Sequence, residues 1–136
     1  MSDVTPPEKA PWGRWTLFLM AILFSFIVSG ILAGINWGRI GRPDLKWKTI
    51  ASSFFLLIPL ALLSSAFSEN NIPLMQTVFL AISGIIAIVL WATQEKECRL
   101  WKESHPEARR AGWQIPMLTA IILSVLIVSI FWVSSP

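Results

Sequence analysis

Hydrophobic positions along the chain fall into four long runs that no charged side chain interrupts. They hold 24 residues between Arg14 and Arg39, 20 between Lys48 and Glu69, 25 between Glu69 and Glu95, and 26 after Arg110. A soluble chain of this size hides its apolar residues in short periodic stripes, whereas each of these runs can supply the roughly 20 helical residues that cross about 30 Å of hydrocarbon. In lipid every backbone amide must bond within its own segment, and runs of this length without regularly spaced turns exclude a transmembrane barrel. The pattern predicts an all-α integral membrane protein with four transmembrane helices, Trp15–Trp37, Trp47–Phe67, Pro73–Thr93 and Trp113–Val133. They are expected to form two antiparallel hairpins within a single membrane domain covering residues 1–136.

The connections refine this layout. Asn70 and Asn71 followed by Pro73 predict a tight turn, with Pro73 at the first helical position, where its missing donor does no harm. Gly41, Arg42, Pro43 and Asp44 predict a second turn. Residues 94–112 form a polar amphipathic segment in which Gln94, Cys98 and Trp101 share a helical face with Leu90, and Glu95 stands four before Arg99. The third helix is therefore expected to run on to about Ser104. Ser104-His105-Pro106-Glu107 then resembles a capping box that would open a short amphipathic helix before the last span. A shift of 54 residues lays Ser29–Trp37 on Ser83–Trp91 and Trp47-Lys48 on Trp101-Lys102, so tandem duplication of a two-helix unit is one reading, with coincidence among interface tryptophans as the other.

Composition agrees with the pattern: 54% of residues are hydrophobic and 14% charged, against roughly a quarter charged in a soluble domain. The net charge of +3 and pI near 9.5 do not point to nucleic acid, because the bases are concentrated in two loops beside apolar runs. Arg39, Arg42, Lys46 and Lys48 follow the first run, and Lys96, Arg99, Lys102, Arg109 and Arg110 follow the third, leaving only Lys9 and Arg14 elsewhere. This nine-to-two bias places both loops in the cytoplasm and both termini on the extracytoplasmic side of a cell membrane. Tryptophan placement follows the same frame: Trp12, Trp15 and Trp132 at the outer boundary, Trp37, Trp47, Trp91 and Trp113 at the inner one, and Trp101 in a basic loop. Mixed charge in the first fourteen residues argues against a cleaved signal peptide. The single cysteine, Cys98, precludes an internal disulfide.

Candidate chemistry is sparse. Gly30, Gly34 and Gly38 form a spine at four-residue spacing, flanked by a second small-residue row of Ala21, Ser25, Ser29 and Ala33, the pattern by which membrane helices approach one another closely. It serves either as an interface with another protein or protomer or as close packing within the chain's own bundle. Pro59 is expected to kink the second helix as a static bend or hinge, its freed Phe55 carbonyl satisfied by Ser52 or Ser53. No ionisable residue lies inside any run, which counts against proton-coupled transport and voltage sensing. The lone His105 lies outside the runs, and the Cys98–His105 region lacks zinc-ligand spacing, so no cofactor and no metal are expected. A headgroup-processing enzyme would have to draw on Glu95, Glu97, Glu103, His105 and Glu107, and is disfavoured.

The stretch Gly30–Pro43, GILAGINWGRIGRP, resembles a segment of small uncharacterised four-helix bacterial membrane proteins, in which a Gly/Ala-rich helix end leads into Asn-Trp-x-Arg-x-Gly-Arg. The resemblance favours a bacterial inner membrane and implies no activity. The resulting expectation is a non-catalytic accessory or scaffolding subunit packing through the glycine face of the first helix. Its partners would be the bilayer and either other membrane subunits or further copies of itself, with no nucleic acid. The alternative is a small oligomeric channel or passive transporter lined by Ser25, Ser29, Ser83 and Ser124.

Overall fold

A computed structural model describes residues 9–65 and 71–134. The Phe67 end of the second run, Asn70 and the Trp132 side chain lie outside the described residues. Among those described the protein is helical, with α1 Arg14–Leu23, α2 Phe26–Arg39, α3 Pro43–Phe55, α4 Leu57–Ser65, α5 Ile72–Ser104 and α6 Gln114–Ser134. Two helical stretches, Pro43–Leu63 and Ile72–Ser104, are long and apolar enough to cross a membrane.

The first apolar run is not one rod. It breaks at Phe24 and Ser25, where the Ser25 side chain caps α2 by accepting from the Ile27 N–H at 3.1 Å. A continuous helix over this run would hold Trp12 and Asn36 about 36 Å apart. Instead the Trp12 backbone N–H donates to Asn36 Oδ1 at 2.8 Å. α1 and α2 therefore fold back on each other as an antiparallel hairpin, about 15 and 21 Å long at 10 and 14 residues. Both open ends lie at one end of the molecule, here called the base, and the Phe24–Ser25 bend forms the tip. This corrects the expectation of a single Trp15–Trp37 span, and with it the placement of Trp12 and Trp15 opposite the basic loops.

α2 closes with a left-handed glycine. Gly41 has φ of +82°, the Arg42 N–H reaches back to the Trp37 carbonyl at 2.8 Å and the Gly41 N–H to the Gly38 carbonyl at 3.3 Å, the paired bonds of a Schellman turn. Pro43 then opens α3 four residues before the expected start. α3 and α4 run as a near-continuous rod interrupted at Leu56, three residues ahead of Pro59, where the proline ring crowds the preceding turn. Ser52 and Ser53 do not satisfy the Phe55 carbonyl; their hydroxyls bond the carbonyls of Lys48 and Thr49, at 2.7 and 2.9 Å.

α2 forms the centre, with α1, α3, α5 and α6 packed against it. Leu17, Met20, Val28, Leu32 and Ala33 make one buried cluster with Ala120 of α6, and Phe26 and Ile27 make another near the tip with Leu60 of α4. Leu123 touches both clusters, so α6 runs from base towards tip. α5 returns from the tip side to the base and continues to Ser104, 33 residues and about 50 Å in all. Beyond it, residues 105–113 are not helical: Ser104 ends α5, its hydroxyl bonded to the Trp101 carbonyl at 2.9 Å. The segment pairs instead with the N-terminal strap, the Ala10 N–H donating to the Arg109 carbonyl at 2.9 Å, which corrects the expected short helix after a Ser104 cap. Nor do the two stretches aligned by the 54-residue shift fold alike, since Ser29–Trp37 is half of a hairpin whereas Ser83–Trp91 lies mid-way along an unbroken helix.

Candidate functional site

Two arrangements at the base concentrate the polar chemistry. The first locks the hairpin. Asn36 is fully buried, and besides accepting from the Trp12 N–H it donates through Nδ2 to the Trp12 carbonyl at 3.0 Å and to Gln94 Oε1 at 3.4 Å. Gln94, also buried, donates through Nε2 to the Ala33 carbonyl at 2.6 Å. The Asn36 amide thus pairs with both backbone groups of Trp12, as a facing strand residue would, and satisfies groups that burial would otherwise leave unbonded. Trp12 extends the lock by donating its indole N–H to the Gly112 carbonyl at 3.1 Å. Arg39 closes it from outside, stacked 3.8 Å from the Trp12 ring centroid and donating to the Ala10 carbonyl at 2.7 Å. Burial lowers the Arg39 pKa from its ordinary value, yet a guanidinium keeps its charge at any physiological pH.

The second arrangement is a cleft between α1 and the base half of α5. Its upper part, a cavity of about 460 Å³, is lined by Arg14, Gln94, Glu95, Cys98, Arg99 and Lys102 among others. A second cavity of about 330 Å³, lined by Trp15, Phe18, Ala87 and Ile88, shares Arg14 and Trp91 with the first. α1 packs on α5 here with Phe18 and Ile22 lying 3.7 and 3.6 Å from where a Cβ on Gly84 would be, an ordinary contact distance that leaves room for a methyl group.

The glycine face is covered by α3 of the same chain. A Cβ on Gly30 would collide with the Ser53 side chain, one on Gly34 would stand 2.5 Å from Ile50 Cγ1 and 2.9 Å from the Lys46 carbonyl, and one on Gly38 would meet the Lys46 stem at 3.2 Å. The face is therefore an internal helix–helix contact, which corrects the expectation that it stands open to another protein. Ala33 and Ser29 are wholly buried, and the Ser29 hydroxyl has no hydrogen-bond partner. The tryptophans divide: Trp12, Trp37 and Trp101 are buried, whereas Trp15, Trp47 and Trp113 are exposed and Trp91 is half-buried, all of them towards the base. Arg42 approaches Asp44 and Glu97 loosely, at 3.7 and 3.8 Å. Lys46 lies 5.0 Å from the Trp47 ring centroid, Lys48 is exposed on α3, and Arg109 and Arg110 sit beside the N-terminal strap. No three His, Cys, Asp or Glu side chains gather as a metal-binding group among the described residues.

Sequence patterning did not single out Asn36 and Gln94 as a pair, although each is a carboxamide at the edge of an apolar run, and that signal was available. Trp12 read as a boundary anchor because its partners lie 24 and 100 residues away. No family model, curated protein or solved structure matches this chain.

Proposed function

We propose that the protein is a non-catalytic integral membrane protein, an accessory or scaffolding subunit in which a hairpin with a buried second helix holds three membrane-crossing rods. Segregation of charge supports this reading. With α1 and α2 folded back, Lys9 and Arg14 join the basic loops, and all eleven Lys and Arg residues gather at the base. Beyond the base, α3–α4 and α6 present Phe55, Ile58, Leu62, Leu118 and Ile121 outward, side chains that water would penalise and lipid would accept. The positive-inside rule then puts the base and the N-terminus in the cytoplasm, and α3–α4, α5 and α6 each cross once, so that the C-terminus lies outside. α1–α2 enters from the cytoplasm and turns back within the bilayer, which a helical hairpin tolerates because its backbone bonds are made within its helices and Ser25 caps the bend. The bacterial inner membrane rests on the resemblance of the Gly30–Pro43 stretch.

Because α3 occupies the glycine face, a partner subunit would meet the outward face of the α3–α4 rod. Conduction within one chain is less favoured, since Ser29 and Ser83 are buried while Ser124 faces outward and the four serines line no common path. Single cysteines in a Cys98→Ser background test the topology. Cysteines at positions 9 and 107 should react from one side of the membrane and one at position 71 from the other. Labelling of position 9 together with position 71 overturns the hairpin topology. Native mass in mild detergent tests the role, and a monodisperse monomer without a co-purifying protein argues against a subunit.

A further inference from the structure

The α1–α5 cleft has a polar end and an apolar end that meet at one cation. Arg14 Cζ lies 5.5 Å from the ring centroids of both Trp15 and Trp91, so the guanidinium is within cation–π reach of two indoles where the cavities join. Arg14 forms no ion pair among the described residues. Arg99 and Lys102 add two more bases to the polar cavity, against Glu95 and Glu103. From Arg14 the apolar cavity runs along Phe18, Ala87 and Ile88 on the side of α5 that leads away from the base.

We propose that this cleft binds one membrane phospholipid, its phosphate on Arg14 with Arg99 and Lys102 beside it, and one acyl chain in the groove over Phe18 and Ile88. The inference rests on the membrane orientation proposed above, which sets Arg14 and the exposed tryptophans at headgroup depth. The occupant follows from the chemistry of the lining. An unpaired guanidinium at the mouth of an oily groove matches a group that is anionic at one end and hydrocarbon at the other. A free phosphate would leave the groove empty, and a peptide helix would bury Arg14 against apolar side chains. Trp91 and Trp15 contribute by holding the guanidinium in place, so less side-chain freedom is lost when phosphate binds.

The test uses the purified full-length chain, delipidated in mild detergent and titrated with dioleoyl phosphatidylglycerol, bound lipid being counted by native mass spectrometry. Cys98, the chain's one cysteine, lines the polar cavity and reports occupancy directly, since bound lipid should slow its alkylation by a water-soluble maleimide. One lipid should bind tightly, and Arg14→Gln should weaken it about tenfold, the loss of one charge-assisted contact. Ile88→Trp, at an exposed position, should fill the groove and abolish protection of Cys98. Lys48→Gln, which removes a base at the same end but outside the cleft, should change neither readout. Dioleoylglycerol, which lacks phosphate, should not protect Cys98, and inorganic phosphate alone should neither protect it nor displace the lipid. Equal retention by wild type, Arg14→Gln and Ile88→Trp, or equal protection by dioleoylglycerol, overturns the site. These measurements are made in detergent, so failure here with correct cysteine topology in membranes refutes the lipid site alone, whereas failure of the topology refutes the orientation on which it rests.

Discussion

α2 and the α3–α4 rod are both apolar helices, yet they meet opposite surroundings. α2 is buried nearly all round, and it is built from Gly30, Ala33, Gly34 and Gly38 with the polar Ser29 and Asn36 among them. The α3–α4 rod carries the bulkier Phe54, Phe55, Ile58, Leu62 and Leu63 and exposes all of them; among the described residues Ser53 and Leu60 are buried. Hydrophobicity alone would place the rod inside. On the membrane reading proposed above no such force sorts leucine from its surroundings, because the solvent is as oily as the side chain, and close approach and polar pairing decide which helix becomes the core. Small residues let α3 lie against α2, and the Asn36 amide rewards a partner that only the folded hairpin supplies.

That contrast can be broken most sharply at Asn36. Asn36→Leu brings in a bulkier side chain that cannot hydrogen-bond, leaves the Trp12 N–H and carbonyl and the Gln94 side-chain oxygen buried without that partner, and should cost about 3 kcal/mol, read from denaturant unfolding in detergent. Next comes Gly34→Ala, whose new methyl would meet the Lys46 carbonyl at 2.9 Å, a backbone atom that cannot swing aside. About 2 kcal/mol is expected, whereas Gly38→Ala faces only the flexible Lys46 stem and should stay within about 0.5 kcal/mol; equal effects at the two glycines would refute the packing assigned to the spine. Arg39→Gln should cost about 1 kcal/mol through loss of its contacts with Trp12 and Ala10, with faster proteolysis of the N-terminal strap as the accompanying sign. The smallest effect belongs to the rod: Leu62→Ala should leave the isolated chain unchanged within about 0.5 kcal/mol and reduce recovery of a co-purified subunit.

Much of the architecture could be read along the chain because its causes are local. Continuous apolar runs mean helices, Gly41 marks the stop of α2 although the restart came at Pro43 and not at Trp47, and the i, i+4 pattern of residues 94–104 carried α5 on to Ser104. The interruption near Pro59 follows from ring geometry three residues away. The break at Phe24–Ser25 was not legible, since neither proline nor glycine stands there and a serine within an apolar run is unremarkable until its hydroxyl caps a helix. With that break unseen, the nine-to-two charge bias left Lys9 and Arg14 as exceptions, and the hairpin removes both. The cleft was invisible for a related reason: Arg14, Phe18, Ile88 and Trp91 belong to two helices with residues 24–71 between them.

Sequence by itself determined that this chain is helical, that its apolar runs carry no charge, and that its bases cluster beside them, because these properties belong to single segments and their contact with solvent. Tertiary structure alone decided that the first run doubles back, that the glycine spine is spent on α3, and that a cation between two tryptophans heads an oily groove. Each of those depends on a pairing across tens of residues, such as Asn36 with Trp12, and a bond between distant groups leaves no periodic trace in the order of residues.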